Sequence, residues 1–196
     1  MAMGRPREFD TDTALDRAME VFWQKGYEGA SLAELTKAMG INPPSLYAAF
    51  GNKEALFRKA FDKYAAEKEA FFDELYRQPT ARAVAEFYLR GAVTYLTDPK
   101  RPKGCLAINN TMACGDSADR IRQELLAKRA IGEARMRERL ERAKREGDLP
   151  ETADAAALTR YLSTVLQGMA VQALGGATRE DLTQVAELAM KAWPST

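Results

Sequence analysis

Ser31 and Asn42 are the residues whose neighbours give them the clearest chemical task, which is to hold the amino termini of two short helices. Ser31 is followed three positions on by Glu34, so its hydroxyl can accept from the Glu34 amide while the Glu34 carboxylate returns to the Ser31 amide. Asn42 is followed by Pro43, which suits a first turn where amides have no intrahelical acceptor. Pro44 removes a second donor and leaves the Ser45 amide as the good partner for the Asn42 side chain. A capped helix start still presents backbone amides and the positive end of the helix dipole, which suits a phosphate. The chemistry on offer is anion binding rather than bond cleavage.

Catalytic chemistry is correspondingly poor. The 196 residues include no histidine, which removes the commonest general base and every nucleophile arrangement built on one. The only thiols are Cys105 and Cys114, too few for a four-cysteine zinc site or a disulfide framework, and they fit a reducing compartment. Cys105 follows Lys103 and Gly104 near an expected helix start, an environment that favours a redox- or electrophile-responsive thiolate; a buried inert thiol is the other reading. The chain is therefore expected not to be an enzyme and to need no cofactor or metal. With 29 basic against 28 acidic residues the formal net charge is +1, so any nucleic-acid surface must be a local patch. No apolar run reaches the ~18–20 residues of a membrane span, and a soluble cytoplasmic protein with no membrane partner is expected.

The elements that position these residues read as all-α, about nine helices in two cores. Leu15, Ala18, Met19 and Phe22 mark a first helix ending at Gly26; Leu32, Leu35 and Met39 mark a second ending at Gly40. The third runs from Pro43 to about Phe50, with Leu46 placed to staple onto Ile41. Asn52 caps a fourth, a connector expected to continue through Leu56, Phe57, Ala60, Phe61 and Tyr64 to about Phe72. Further helices are expected over about 83–96, 105–112, 117–146, 154–174 and 178–193, with breaks at Pro99 and Pro102, Gly147 and Pro150, and Gly175 and Gly176.

Two short helices joined at Gly40 have the length and turn of a helix-turn-helix, whose second helix enters the major groove of DNA. The groove-facing positions are then Asn42, Pro43, Pro44, Ser45, Tyr47 and Ala48. None is basic, so bidentate guanine recognition from this helix is absent, and readout leans on hydrogen bonds, thymine methyls and DNA shape. Positive charge comes instead from Lys37 and Lys53, with Arg5 and Arg7 as arms toward a phosphate or the minor groove. Spacing alone also permits a small structural or protein-binding three-helix unit.

The strings Gly26-Tyr27-x-x-Ala30-Ser31-Leu32-x-x-Leu35, Met39-Gly40-Ile41 and Ser45-Leu46-Tyr47-x-x-Phe50-x-Asn52-Lys53-Glu54-Ala55-Leu56 resemble the TetR family of transcriptional regulators, over roughly Ala14 to Tyr64. The resemblance implies that Tyr47 and Lys53 touch phosphates, that Ser31 caps onto the backbone, and that Pro43, Pro44, Ser45 and Ala48 lie along base edges. Pro43-Pro44 and Ala48-Ala49 depart from the family's habit, which bears on the identity of the operator. The implied organisation is a DNA-binding domain over 1–52 and an effector-binding and dimerisation domain over 53–196, with 53–72 as connector helix.

The family further implies a repressor that binds a pseudo-palindromic double-stranded DNA operator as a homodimer and is released by a small-molecule effector. Tyr161, Leu162, Val165, Leu182, Val185, Leu188 and Ala189 are spaced to form a four-helix dimer interface, an intramolecular core being the alternative. Phe87, Tyr88, Tyr95, Cys105, Asn109, Met112, Tyr161 and Met169 are the candidate lining of an effector pocket. A helical small-molecule-binding protein and a regulator responding through Cys105 are the competing readings.

Overall fold

A computed structural model describes residues 9–112 and 118–194; Arg5, Arg7, Cys114 and the side chain of Met112 lie outside the described residues. Among the described residues every regular element is a helix, in the order α1 (Thr11–Gly29), α2 (Leu32–Met39), α3 (Pro43–Phe50), α4 (Lys53–Ala66), α5 (Glu69–Arg77), α6 (Ala81–Leu96), α7 (Leu106–Met112), α8 (Asp119–Arg145), α9 (Ala155–Leu174) and α10 (Arg179–Lys191).

Local chemistry accounts for most boundaries. Asp10 caps α1 through its carboxylate to the Asp12 and Thr13 amides, at 2.8 and 3.0 Å. Inside α1 the backbone breaks at Gly26, φ 73°, and Tyr27 to Gly29 form one more helical turn rather than an open loop. The Ser31–Glu34 capping box is complete, and Gly40 at φ 70° closes α2 in the left-handed conformation. Asn42 accepts from the Ser45 amide at 2.9 Å, with Pro43 and Pro44 in the first turn.

The connector differs from its expected form. The helix capped by Asn52 stops at Ala66, and a turn at Glu67 and Lys68 separates it from α5. Lys68, at the start of α5, makes no capping side-chain bond to the helix, so the break carries no local signal of the kind that marks Ser31 or Asn42.

Two cores share the chain. The first gathers Phe22, Trp23, Leu35, Leu46, Phe57 and Phe61 with other residues of α1 to α4, and it also takes in Leu106 from α7 and Ile121 and Leu125 from α8. The second packs α5, α6, α9, α10 and the later part of α8 around Leu89, Leu140, Leu162 and Met169. Tyr95 and Cys105 pack against both. Asn110 of α7 donates to the Phe22 carbonyl at 3.2 Å and Asn109 to the Trp23 carbonyl at 3.3 Å, so α7 is pinned to α1 by side-chain amides. No described helix is long and apolar enough to cross a membrane.

Candidate nucleic-acid interface and its link to the second core

Helix α3 buries Leu46 and Phe50 and turns its other face outward. Asn42, Pro43, Pro44, Tyr47 and Ala48 are exposed and Ser45 is half-buried, so the groove-facing set expected from the spacing shares one surface. Tyr47 is 51% exposed, large for an aromatic ring. Ser31 is also exposed at the start of α2, and Glu34, which completes its cap, is ion-paired to Lys25. That pairing, with the hydrogen bonds from Ser31, lowers the Glu34 carboxyl to about 2.

Lys53 is placed differently from a free phosphate ligand. Its ammonium donates to the Glu28 carbonyl at 3.4 Å and lies 4.7 Å from the centre of the Tyr27 ring. Partial burial pushes its pKa down, and nearby Glu28 opposes the shift. An ammonium has three donors, so this single long bond leaves others for a phosphate.

The effector candidates divide: Tyr88 and Tyr95 both lie within electrostatic reach of Cys105, while others are engaged elsewhere. Phe87 stacks on Phe71 of α5 with ring centres 5.1 Å apart, whereas Tyr161 points to α10 and donates to the Ala189 carbonyl at 2.9 Å. Asn109 is spent at the junction, on Trp23 and on the Lys103 carbonyl at 3.4 Å. Gly104 allows this approach, since it sits at φ 77° and a Cβ there would come within 2.8 Å of the Asn109 Oδ1. Met169 is buried core. Tyr88 is partly buried against the second core with Tyr76, Cys105, Glu133 and Arg129 in its electrostatic surroundings, and burial raises its pKa. An open groove of about 660 Å³ between α6 and α10, floored by Leu89, Val93, Ala186 and Met190, includes none of these candidates.

The dimer candidates also divide. Leu162, Leu182 and Ala189 are 1%, 1% and 5% exposed, and they are corrected to intramolecular core because their helical faces meet α6 and each other. Tyr161 is likewise engaged within the chain. Val165 is partly buried against the second core. Val185 and Leu188 do face outward, at 42% and 67% exposure, and Val171 and Leu174 of α9 join them at 43% and 53%. The latter pair was not among the expected residues, although their spacing along α9 puts them on one face, turned away from the buried Met169.

Sequence reasoning also missed a cluster at the junction of the cores. Trp23, Tyr64 and Tyr95, from α1, α4 and α6, surround the Lys68 ammonium, and Cys105 lies against Tyr64 with its Sγ 3.0 Å from the phenol oxygen. Only Tyr95 and Cys105 of this group carry a functional expectation from the sequence. Tyr64 belongs there to a helix stripe, and no short-range pattern unites elements so far apart in the chain.

Residues 14–60 match the model of bacterial regulatory proteins of the tetR family, and residues 82–189 match the tetracyclin repressor-like C-terminal domain. The chain belongs to the TetR family. The TetR-family match spans both cores, so the likeness extends well past the N-terminal motifs. The HTH-type transcriptional repressor ComR of Escherichia coli (strain K12) is 38% identical over 197 residues, covering 97% of this chain and 92% of its own length. The HTH-type transcriptional repressor BdcR of the same organism is 30% identical over 193 residues, covering 96% and 91%. Among solved structures, a cysteine mutant of the TetR family transcriptional regulator CifR complexed with 26bp double-strand operator DNA is 45% identical, with a TM-score of 0.92 and coverage of 97% of this chain and 100% of that one. The family consists of regulatory proteins rather than enzymes, in keeping with a TetR-family chain that lacks histidine.

Proposed function

We propose that this TetR-family chain is a transcriptional repressor that binds a pseudo-palindromic operator as a homodimer in the cytoplasm and leaves it when a small-molecule effector binds the second core. The observation that carries the reading is the full-length likeness, at 45% identity, to a regulator held on operator DNA, together with the exposed α3 face of Asn42, Pro43, Pro44, Ser45, Tyr47 and Ala48. In this reading Tyr47 and Lys53 contact phosphates, the Ser31 and Asn42 helix starts add backbone donors, and base discrimination rests on Ser45, the two prolines and DNA shape. Residues 1–52 form the DNA-binding unit and 53–196 the effector and dimerisation unit, with α4 and the first-core residues of α7 and α8 transmitting between them.

The effector approaches the interior beside Tyr88, where a phenol, a carboxylate and a guanidinium occur together among apolar helices. The second subunit covers Val171, Leu174, Val185 and Leu188, since four large apolar side chains exposed on α9 and α10 suit a helical interface. The test is an anisotropy titration of the protein on its own promoter region and on random duplex at the same salt. Specific binding at least about 10³-fold tighter than to random DNA is expected, and equal affinities would sink the reading.

A further inference from the structure

The cluster between the two cores holds a cation in an unusual way. Lys68 Nζ lies 2.9 Å from the Tyr64 ring centre, 4.1 Å from that of Tyr95 and 5.9 Å from that of Trp23, and it donates to the Tyr95 hydroxyl at 2.8 Å. The rings brace one another, Trp23 edge-on to Tyr64 at 5.2 Å and stacked on Tyr95 at 5.9 Å. The carboxylate nearest in sequence, Glu67, is taken up by Arg101, whose guanidinium also covers the Tyr95 ring at 4.9 Å. Among the described residues no ion pair to Lys68 is present. The Trp23 Nε1 is buried with no hydrogen-bond partner, an unspent donor in the wall of the same box.

Lys68 is partly buried, with a phenol in hydrogen-bond contact and no described carboxylate bonded to its nitrogen; the ring faces favour the ammonium, and burial favours the free amine, which is the nucleophilic form. Burial lowers its pKa to about 7; Cys105 and Glu67 oppose the shift and Arg101 adds to it. These, with Tyr64 and Tyr95, are the titratable and charged groups facing it, and α1 contributes the neutral Trp23.

We infer that Lys68 is a covalent capture site for small aldehydes, condensing with them to an imine inside the Trp23–Tyr64–Tyr95 box. The Nζ lone pair adds to the carbonyl carbon, and the proton shed by nitrogen passes to the former carbonyl oxygen by way of the Tyr95 hydroxyl. The carbinolamine then loses water, its hydroxyl departing with the remaining N–H proton as the nitrogen lone pair forms the C=N bond. One water leaves for each aldehyde captured, and no oxidant or reductant is needed. The captured group enlarges a box built from both cores at the α4–α5 break, so it displaces α4. That consequence rests on the repressor reading, whereas the capture itself does not.

The experiment treats the full chain with propanal and cyanoborohydride and maps the reduced adducts by peptide mass spectrometry. At pH 7.5 Lys68 is expected to label at least about tenfold faster than the exposed Lys37 and Lys191, because an amine that titrates near neutrality is largely unprotonated there and an ordinary lysine is not. Its rate of imine formation should level off just above pH 7. Tyr95→Phe should slow Lys68 several-fold and leave Lys37 unchanged. Lys68→Met, which fills the box without an amine, should abolish the fast label with the melting temperature retained or raised. Labelling of Lys68 no faster than of Lys37, a rate that fails to level off, or an adduct on Cys105 with Lys68 untouched would overturn the inference. Capture without any loss of promoter affinity would leave the site standing and remove its link to DNA release.

Discussion

Arg58 of α4 grips Glu124 of α8 with two nitrogens, Nε at 2.9 Å and Nη2 at 2.6 Å from the two carboxylate oxygens. Arg58 also pairs with Glu54 one turn back, and Lys128 of α8 holds Asp62 of α4 at 2.7 Å. Helix α4 follows the recognition helix directly, so these pairs tie the DNA-facing unit to the start of the long helix α8. A bidentate guanidinium–carboxylate contact fixes orientation as well as distance, which suits a strap whose two ends must move together.

Breaking that strap should change coupling more than stability. Glu124→Gln is expected to cost only about 0.5 kcal/mol in denaturant unfolding, since both side chains are more than a third exposed. The Arg58 hydrogen bond lowers the Glu124 carboxyl, so its contribution is present at neutral pH and is lost as pH falls through the acidic carboxylate range. In operator titrations with effector, the variant should show a shifted release midpoint, most clearly at low salt. An unchanged midpoint at all salts would exclude the pair from transmission.

The N-terminal elements were legible because their signals are local. Ser31 with Glu34, Asn42 with Pro43, and Gly40 each state a helix boundary within four residues, and each boundary is where the chemistry puts it. The break after Ala66 was not legible: Phe71 and Phe72 continue the apolar stripe of Leu56 to Tyr64, and the turn at Glu67 and Lys68 has no side-chain cap to announce it. Periodicity likewise told that α9 and α10 are apolar but not which side meets a second molecule. Leu162 and Leu188 look alike in sequence, yet one is 1% and the other 67% exposed. Residue type likewise did not tell that Asn109 and Tyr161 would be spent on backbone carbonyls while Tyr88 and Tyr95 gather near Cys105.

The outward stripe gives a sharp test of assembly. Leu174→Glu combined with Leu188→Glu places charges on two exposed positions that the monomer core does not use. The double variant is expected to keep its helical circular dichroism and to run as a monomer by light scattering. It should also bind its promoter about 10²-fold or more weakly, because two half-sites are no longer bound as one unit. A dimer of unchanged mass would move the interface elsewhere.

Lys53 decides between two uses of one ammonium. If it contacts a phosphate in each half of a dimer, Lys53→Met should flatten the slope of log affinity against log salt by about 0.9 for each phosphate no longer neutralised, close to two for the pair. Specificity between sequences should be nearly unchanged, since a phosphate carries no base identity. A slope equal to that of the parent protein would leave Lys53 as a packing residue over Tyr27.

The last prediction concerns stability and pH at Lys68. Its folded pKa is about 7 against an unfolded value near 10.5, so between these limits the unfolded chain binds more protons and stability rises with pH. Below about pH 7 both states carry the proton, and the full cost of keeping a charged amine in the box is felt. Lys68→Met, similar in length and apolar, should therefore stabilise the protein by roughly 2 kcal/mol below pH 7, after the forfeited cation–π attraction is set against the relieved desolvation. Its advantage should shrink steadily from pH 7 toward pH 10. Urea midpoints at pH 6, 8 and 10 for the two proteins measure this, and a difference independent of pH would mean that Lys68 holds its proton throughout.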